Sequence, residues 1–244
     1  MRYIEKVEPY QRFLEYVENN IDKNLSKEEL KKLFKKMPSN LKTSLKEYIL
    51  KHEQNYLCIY CEEKIEKIEH SHLEHIKHQD EYSHLIFDYN NLVVSCNGDG
   101  KCNPKNAGKN RKTTCGHKKN DKELPLNPLK DINISDYFEF VEENEKMSIL
   151  IKSSDLDKEK AQDMIEILNL NSDSSNFNLP YNRWKEKEFI EKIIVELIEQ
   201  RKNLKKTEDE IFIEVKNIIK NFLSSNIVPF ITCIKFFLNR KGII

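Results

Sequence analysis

Histidine and cysteine are confined to one window of this chain. All seven histidines fall between His52 and His117, and five of the six cysteines (Cys58, Cys61, Cys96, Cys102 and Cys115) lie in the same stretch. Two metal-ligating residue types so concentrated read as one metal-rich module. Cys58-Ile-Tyr-Cys61 is a CxxC knuckle, which presents two thiolates to a tetrahedral Zn²⁺ from one tight turn. Two more ligands must come from elsewhere. Cys96 follows the apolar run NLVVS, and Cys115 lies in TCGHKKN. Cys102 is the alternative to Cys115, because CNGDGKC brings it closer to Cys96. The expectation is a structural zinc site on Cys58, Cys61, Cys96 and Cys115. Cys233 stands alone in IVPFITCIKFFL and reads as a core thiol.

The flanks are helical in pattern. In QRFLEYVENNI the apolar residues Phe13, Leu14, Val17 and Ile21 recur at helical spacing. LSKEELKKLFKKM offers Ser26 as N-cap with Glu29 three residues on. Pro38 and Ser39 interrupt before SNLKTSLKEYILKH resumes. YFEFVEENEKMSILIK reads as two strands joined by a polar turn. Three further helices follow: DKEKAQDMIEILNL, RWKEKEFIEKIIVELIEQRKN, and TEDEIFIEVKNIIKNFL with Thr207 as its cap. The fold class expected is α+β: a mainly helical chain with a central zinc-stabilised module and a following β-hairpin. The segments are 1–54 (helical), 55–130 (the Cys/His module) and 131–244 (hairpin and C-terminal helices).

The 41 basic and 41 acidic residues balance, so any nucleic-acid contact must come from a local patch. No apolar run approaches eighteen residues, and MRYIEKVEPYQRF lacks the apolar core of a signal peptide. The expected location is the cytoplasm, without membrane attachment, where cysteines are free or metal-bound.

The densest histidine stretch is SHLEHIKHQ, Ser71 to Gln79, preceded by His70. A zinc protease needs HExxH on a helix. Neither His72-Leu-Glu-His75 nor His75-Ile-Lys-His78 fits. What remains is Glu74-His75, then DYNNLVVSC, then CGHKKN. An acidic residue before a histidine, a later Asn-Leu, and a late histidine after a cysteine resemble the HNH endonuclease family. CIYCEEKI, HLEHI, DYNNLVVSCN, TCGHKKND, PLNP, ILNLN, NLPYNRW and MRYIEK are similar to one subfamily. It includes the nuclease subunits (PtuB) of Septu anti-phage systems.

The resemblance implies a ββα-metal (HNH) module and metal-dependent phosphodiester hydrolysis, of DNA, with Mg²⁺ or Mn²⁺ as the catalytic ion beside the structural Zn²⁺. It also implies an ABC-type ATPase subunit of the same defence system (PtuA-like) as partner. The chain has no Walker A string of its own. On this pattern His75 is the general base, Glu74 a metal ligand, and Asn91 the residue that holds the loop carrying His75, with Asn90 the alternative. His117 is the second metal ligand, with Asn120 the fallback three residues on, on the same helix face. Glu74 and His75 are adjacent and alternate across a strand, so both serve one site only where the strand ends or bends. His72, two residues before Glu74, is the most plausible extra contact.

Two positions depart from the family pattern. His78 stands where a proline commonly follows the catalytic histidine, and Gly116 separates Cys115 from His117. Between Gly100 and Asn120 the chain carries seven basic residues and no acidic one: Lys101, Lys105, Lys109, Arg111, Lys112, Lys118 and Lys119. A basic loop beside a nuclease centre neutralises phosphates without reading sequence. Two rivals share the cysteines: a non-catalytic zinc module that binds nucleic acid or protein, and a nuclease acting on RNA such as tRNA.

Overall fold

In the computed structural model, residues 1–22, 24–98, 113–152, 157–174, 177–202, 204 and 206–244 are described. Three helices come first: α1 (Gln11–Asn20), α2 (Lys27–Lys36) and α3 (Ser39–Ile49). α2 starts where its cap requires. The Ser26 hydroxyl accepts the Glu29 N–H, and the Glu29 carboxylate accepts the Ser26 N–H, an arrangement typically worth about 1 kcal/mol. α3 widens into a single turn, Leu50–Gln54, and ends at Asn55 in the left-handed region (φ 50°).

The chain then makes the cysteine knuckle and β1 (Ser71–His75), which pairs antiparallel with β2 (Leu92–Cys96). Ser71 lies opposite Cys96, and His75 opposite Leu92. β2 is buried along its whole length, covered by α3 and by the short α4 (Cys115–Lys119). At the middle of its outer edge a side chain takes the place of a strand. The Gln54 amide donates to Val94 O and accepts from Val94 N, both at 2.8 Å. It thereby does what a neighbouring strand would do for the backbone.

β3 (Phe138–Glu143) and β4 (Lys146–Ile151) form the expected hairpin. Asn144 and Glu145 both have positive φ (49° and 58°), the geometry of a two-residue type I′ turn. Phe138, Phe140, Met147 and Ile149 are buried, the alternation of a sheet with one face on the core. A minimal pair, β5 (Asp173–Ser174) with β6 (Phe177–Asn178), follows α5 (Lys158–Leu168). The C-terminal part is α6 (Leu179–Lys202), α7 (Glu208–Ser225) and α8 (Ile231–Arg240). α6 begins before the Arg183 read from periodicity, because the Asn178 side chain accepts the Tyr181 N–H and starts the helix early. Thr207 caps α7 in a capping box with Glu210.

One apolar core runs from Met1, Ile4 and Phe13 through Tyr60 and Val94 to Phe140, Leu168 and Cys233. A second lies among α6, α7 and α8. α8 turns Ile231, Cys233, Ile234, Phe237 and Leu238 inward. Its N-terminus is held by the knuckle, since Glu62 O accepts the Phe230 N–H and the Glu62 carboxylate accepts the Thr232 N–H, each at 2.9 Å. No helix among the described residues is long and apolar enough to cross a membrane.

Candidate metal centre and adjoining cleft

Cys58, Cys61, Cys96 and Cys115 converge, all buried, with their sulfur atoms within 4.8 Å of one another. Cys58 and Cys61 come from the knuckle, which tightens through Glu62 at φ 63°. Cys96 ends β2, and Cys115 opens α4 from the left-handed region at φ 55°. The Sγ atoms of Cys61 and Cys96 are 3.8 Å apart. An ion at a Zn–S distance of about 2.3 Å sets tetrahedral edges of about 3.8 Å, so the donor set fits Zn²⁺. Two backbone amides point at the sulfurs: Cys96 N at Cys58 Sγ (3.3 Å) and Glu63 N at Cys61 Sγ (3.5 Å). Burial raises the Cys58 thiol, but hydrogen bonds from the other three cysteines and the Cys96 amide bring it well below its ordinary value. The alternative ligand, Cys102, lies outside the described residues.

Beside the cluster, along β1 and α4, is an open cleft of about 310 Å³. Its walls include His72, Glu74, His75, Gly116, His117 and Asn120. β1 ends at His75, and Glu74 and His75 both reach this cleft. The two oxygens of Glu74 have different partners. Oε1 is held by Lys119 Nζ (3.0 Å) and the Tyr60 hydroxyl (3.3 Å). Oε2 faces His72 Nε2 at 3.3 Å. Burial alone would raise the Glu74 carboxyl, but the His72 contact and the Lys119 charge outweigh it and hold it below the usual range.

Asn97 Nδ2 donates to Glu69 O (3.1 Å), so its Oδ1 is the atom facing His72 Nδ1 at 3.1 Å. Both ring nitrogens of His72 therefore face oxygen acceptors, Asn97 Oδ1 at Nδ1 and Glu74 Oε2 at Nε2. The His117 ring stacks on His72, with centroids 4.3 Å apart. Two imidazoles and a carboxylate thus lie together at the cleft wall: His72 against Glu74, and His117 stacked on His72.

His75 is also fixed. Its Nε2 lies 3.0 Å from Ile86 O, which only accepts, so Nε2 carries the proton and Nδ1 is the basic atom. Nδ1 receives the Gln79 amide at 3.0 Å. Phe34 packs edge-on against the ring, with centroids 4.6 Å apart. Burial holds the imidazole below its ordinary pKa, against the Ile86 contact and the Glu74 charge. Asn91 ties the chain around His75 together. Its Oδ1 accepts Lys77 N (2.8 Å), and its Nδ2 donates to Lys77 O (3.0 Å) and Leu85 O (3.1 Å). Asn90 is exposed, and its backbone N–H donates to Asp88.

Two expectations are corrected. Lys119 is not a phosphate-facing lysine: it is 1% exposed, and its Nζ bridges Glu74 Oε1 and His75 O (3.0 Å). At the cleft wall its charge is taken up by these two acceptors. Asn120 does not share a helix face with His117. α4 ends at Lys119, and Asn120 turns out at φ 49°, donating its amide to Asp121 while still lining the cleft. Lys118 is exposed, whereas Lys101, Lys105, Lys109, Arg111 and Lys112 lie outside the described residues.

Tyr60, Asn97 and Gln79 carried no signal that marked them, and Gly116 stood out only as a departure from the Cys-His spacing. Gly116 has the plainest physical account. A Cβ there would stand 2.5 Å from His72 Nε2 and 2.7 Å from Glu74 Oε2. Its bareness is what lets α4 approach the two side chains. No protein-family model matches this chain, and no curated protein matches it.

Proposed function

We propose that this chain is a metal-dependent endonuclease of the HNH type that hydrolyses phosphodiester bonds of DNA. The observation that carries the reading is the His75 tautomer. The imidazole is anchored through Nε2 to Ile86 O, which leaves Nδ1, under the Gln79 amide, as the basic atom, and the ring lines the cleft that His72, Glu74 and His117 also line. An antiparallel β1–β2 pair followed by α4, with four thiolates behind it, supports a ββα-metal arrangement.

In this reading His72, Glu74 and His117 would hold a divalent ion, Mn²⁺ or Mg²⁺, which supplies Lewis-acid charge to the phosphate and leaving oxygen. His75 Nδ1 takes a proton from the attacking water as its oxygen bonds to phosphorus and the bond from phosphorus to the leaving oxygen breaks. General-base help of this kind is worth about 10²–10⁴-fold. Lys119 and Tyr60 keep Glu74 Oε1 occupied, so Oε2 alone is presented to the cleft. Asn91 fixes Lys77 and Leu85, and through them the backbone around His75 and Ile86. A PtuA-like ATPase partner and a role in anti-phage defence belong to the same proposal and rest on the motif resemblance alone.

The test is cleavage of plasmid, single-stranded DNA and tRNA with Mg²⁺, Mn²⁺, Ni²⁺ or Zn²⁺, with and without a co-purified partner. His75→Ala is expected to lower DNA cleavage by at least about 10²-fold while the fold and zinc content persist. Equal cutting by wild type and His75→Ala, or no cutting under any condition, would leave only a zinc-binding module. Selective cutting of tRNA would move the substrate to RNA.

A further inference from the structure

The turn from His78 to Glu81 places Gln79 on His75 Nδ1 and is pinned from both ends. Lys77 is fixed by Asn91 and by an ion pair with Glu123, and Tyr82 donates its hydroxyl to the same Glu123. Between these posts Gln79 covers His75 Nδ1, and its neighbour Asp80 reaches across to α2. Both Asp80 oxygens accept from Lys31 Nζ at 2.8 Å, and Lys27 Nζ lies 3.7 Å from Oδ1.

Lys27 and Lys31, one helical turn apart, share a face. They converge on a single anion at the edge of the cleft, which Lys31, Gln79 and Asp80 all line. α2 is held against the base itself through Phe34, so this anion position and His75 belong to one rigid wall. The turn is not fully satisfied where it lies. His78 Nδ1 is buried with no hydrogen-bond partner among the described residues, an uncompensated cost. The ion pair to Asp80 is solvent-exposed on both sides, and such pairs contribute little net free energy.

We propose that Lys27 and Lys31 form a phosphodiester-binding subsite that Asp80 occupies in the free protein, and that a backbone phosphate displacing Asp80 withdraws Gln79 from His75 Nδ1. The role given to His75 rests on the nuclease reading above; the subsite does not. Water cannot take up the Nδ1 lone pair while the Gln79 amide holds it. Asp80 and Gln79 are adjacent in a short turn with fixed ends, so one does not move without the other. The base is then uncovered only where a phosphate has already docked beside it. This arrangement favours cutting of bound backbone over idle activation of water.

The test uses the full chain and a short fluorescein-labelled DNA without added divalent metal, so that binding is read apart from cutting. Asp80→Asn is expected to bind about threefold more tightly, in line with the small worth of a surface ion pair. Lys31→Gln should weaken binding and reduce the salt dependence by about one counterion. In the Lys31→Gln background, Asp80→Asn should gain almost nothing. An undiminished gain there would mean a general effect of charge and would overturn the subsite, as would no gain in the wild-type background. The coupling is read from the ¹⁵N resonance of His75 Nδ1, which should move on DNA addition toward its position in free Gln79→Ala. A resonance unmoved by bound DNA overturns the coupling.

The two proposals fail separately. DNA binding with these responses but no cleavage with any metal sinks the nuclease reading and keeps the subsite. Cleavage with none of these responses does the reverse. The same responses to an RNA of equal sequence, in preference to DNA, support the subsite and shift the substrate.

Discussion

Gly116→Ala isolates the cleft from the fold. The new methyl carbon would sit 2.5 Å from His72 Nε2 and 2.7 Å from Glu74 Oε2. Ordinary contact begins near 3.4 Å, so the two atoms must retreat by about 0.9 and about 0.7 Å. Both are the far ends of side chains, and Gly116 N keeps its bond to Ser95 Oγ at 3.1 Å. The backbone is therefore not forced to move, and alanine for glycine inside a helix returns up to about 1 kcal/mol of propensity. The cost falls on geometry. His72 cannot retreat freely with Nδ1 tied to Asn97, and Glu74 is held at Oε1 by Lys119 and Tyr60. Displacements near 1 Å at a reacting centre cost about 10²-fold in rate, and disturbed ligand geometry costs about 10–100-fold in metal affinity. The expected result is a 10–100-fold higher half-saturating Mn²⁺ concentration in DNA cleavage and in calorimetric titration, with zinc content unchanged and a melting temperature close to wild type. An unchanged Mn²⁺ dependence would refute the placement of the ion between His72 and Glu74.

Native mass spectrometry should find one zinc per chain, lost in Cys96→Ser together with cooperative unfolding, since structural zinc supplies about 10–16 kcal/mol of apparent folding free energy in small modules. Asn91→Ala removes three hydrogen bonds to Lys77 and Leu85. At about 0.5–1.5 kcal/mol each, urea denaturation should report a loss of about 2–4 kcal/mol, with cleavage reduced beyond what the folded fraction explains. Burial pushes the Glu63 carboxyl up from 4.5 to about 7, against the Asn182 hydrogen bond. The folded state then holds a proton that the unfolded chain gives up at lower pH. Stability should accordingly fall as pH rises from 4.5 to about 7. Denaturation of Glu63→Gln across this range should show that decline flattened; an unchanged slope would assign it to other groups.

The sequence disclosed those features whose chemistry is local. The CxxC knuckle, the capping boxes at Ser26 and Thr207, and the two-strand pattern of 138–151 each declare themselves within a few residues. The pairing of the knuckle with Cys96 and Cys115 was legible because thiolates at such spacing have few other uses. Charge was legible but burial was not. Lys119 looks like its neighbour Lys118 in the sequence, yet one lies under β1 and the other in solvent. The length of α4 was hidden as well. Cys115 enters and Asn120 leaves through left-handed conformations that only tertiary contacts impose on non-glycine residues, so the expected i, i+3 face never forms. Gly116, read as a departure from the Cys-His spacing, is a concession to the side chains opposite it. Nothing in Gln79 or Asp80 signals that either faces His75 or α2.

The cysteine cluster and the cleft are mechanically one object, because α4 serves both and β2, which ends in the cluster, is paired with β1, which lines the cleft. Cys96 and Ser95 lie at the end of β2. Cys96 joins the thiolate cluster, and the Ser95 hydroxyl accepts the Gly116 N–H from α4. α4 carries Cys115 into the cluster, then places His117 on His72, then Lys119 on Glu74 within a single turn. A five-residue helix is far too short to hold itself in water, so its position depends on its attachments. Release of Cys115 from a bound zinc would free the residue next to Gly116. It would also strand Lys119 and Glu74 as a buried pair without a frame, a situation that costs several kcal/mol when such a pair is broken. Removing zinc should therefore abolish Mn²⁺ binding in the cleft even though no cysteine faces it. Retention of that binding in zinc-free, folded protein would show that α4 has another anchor.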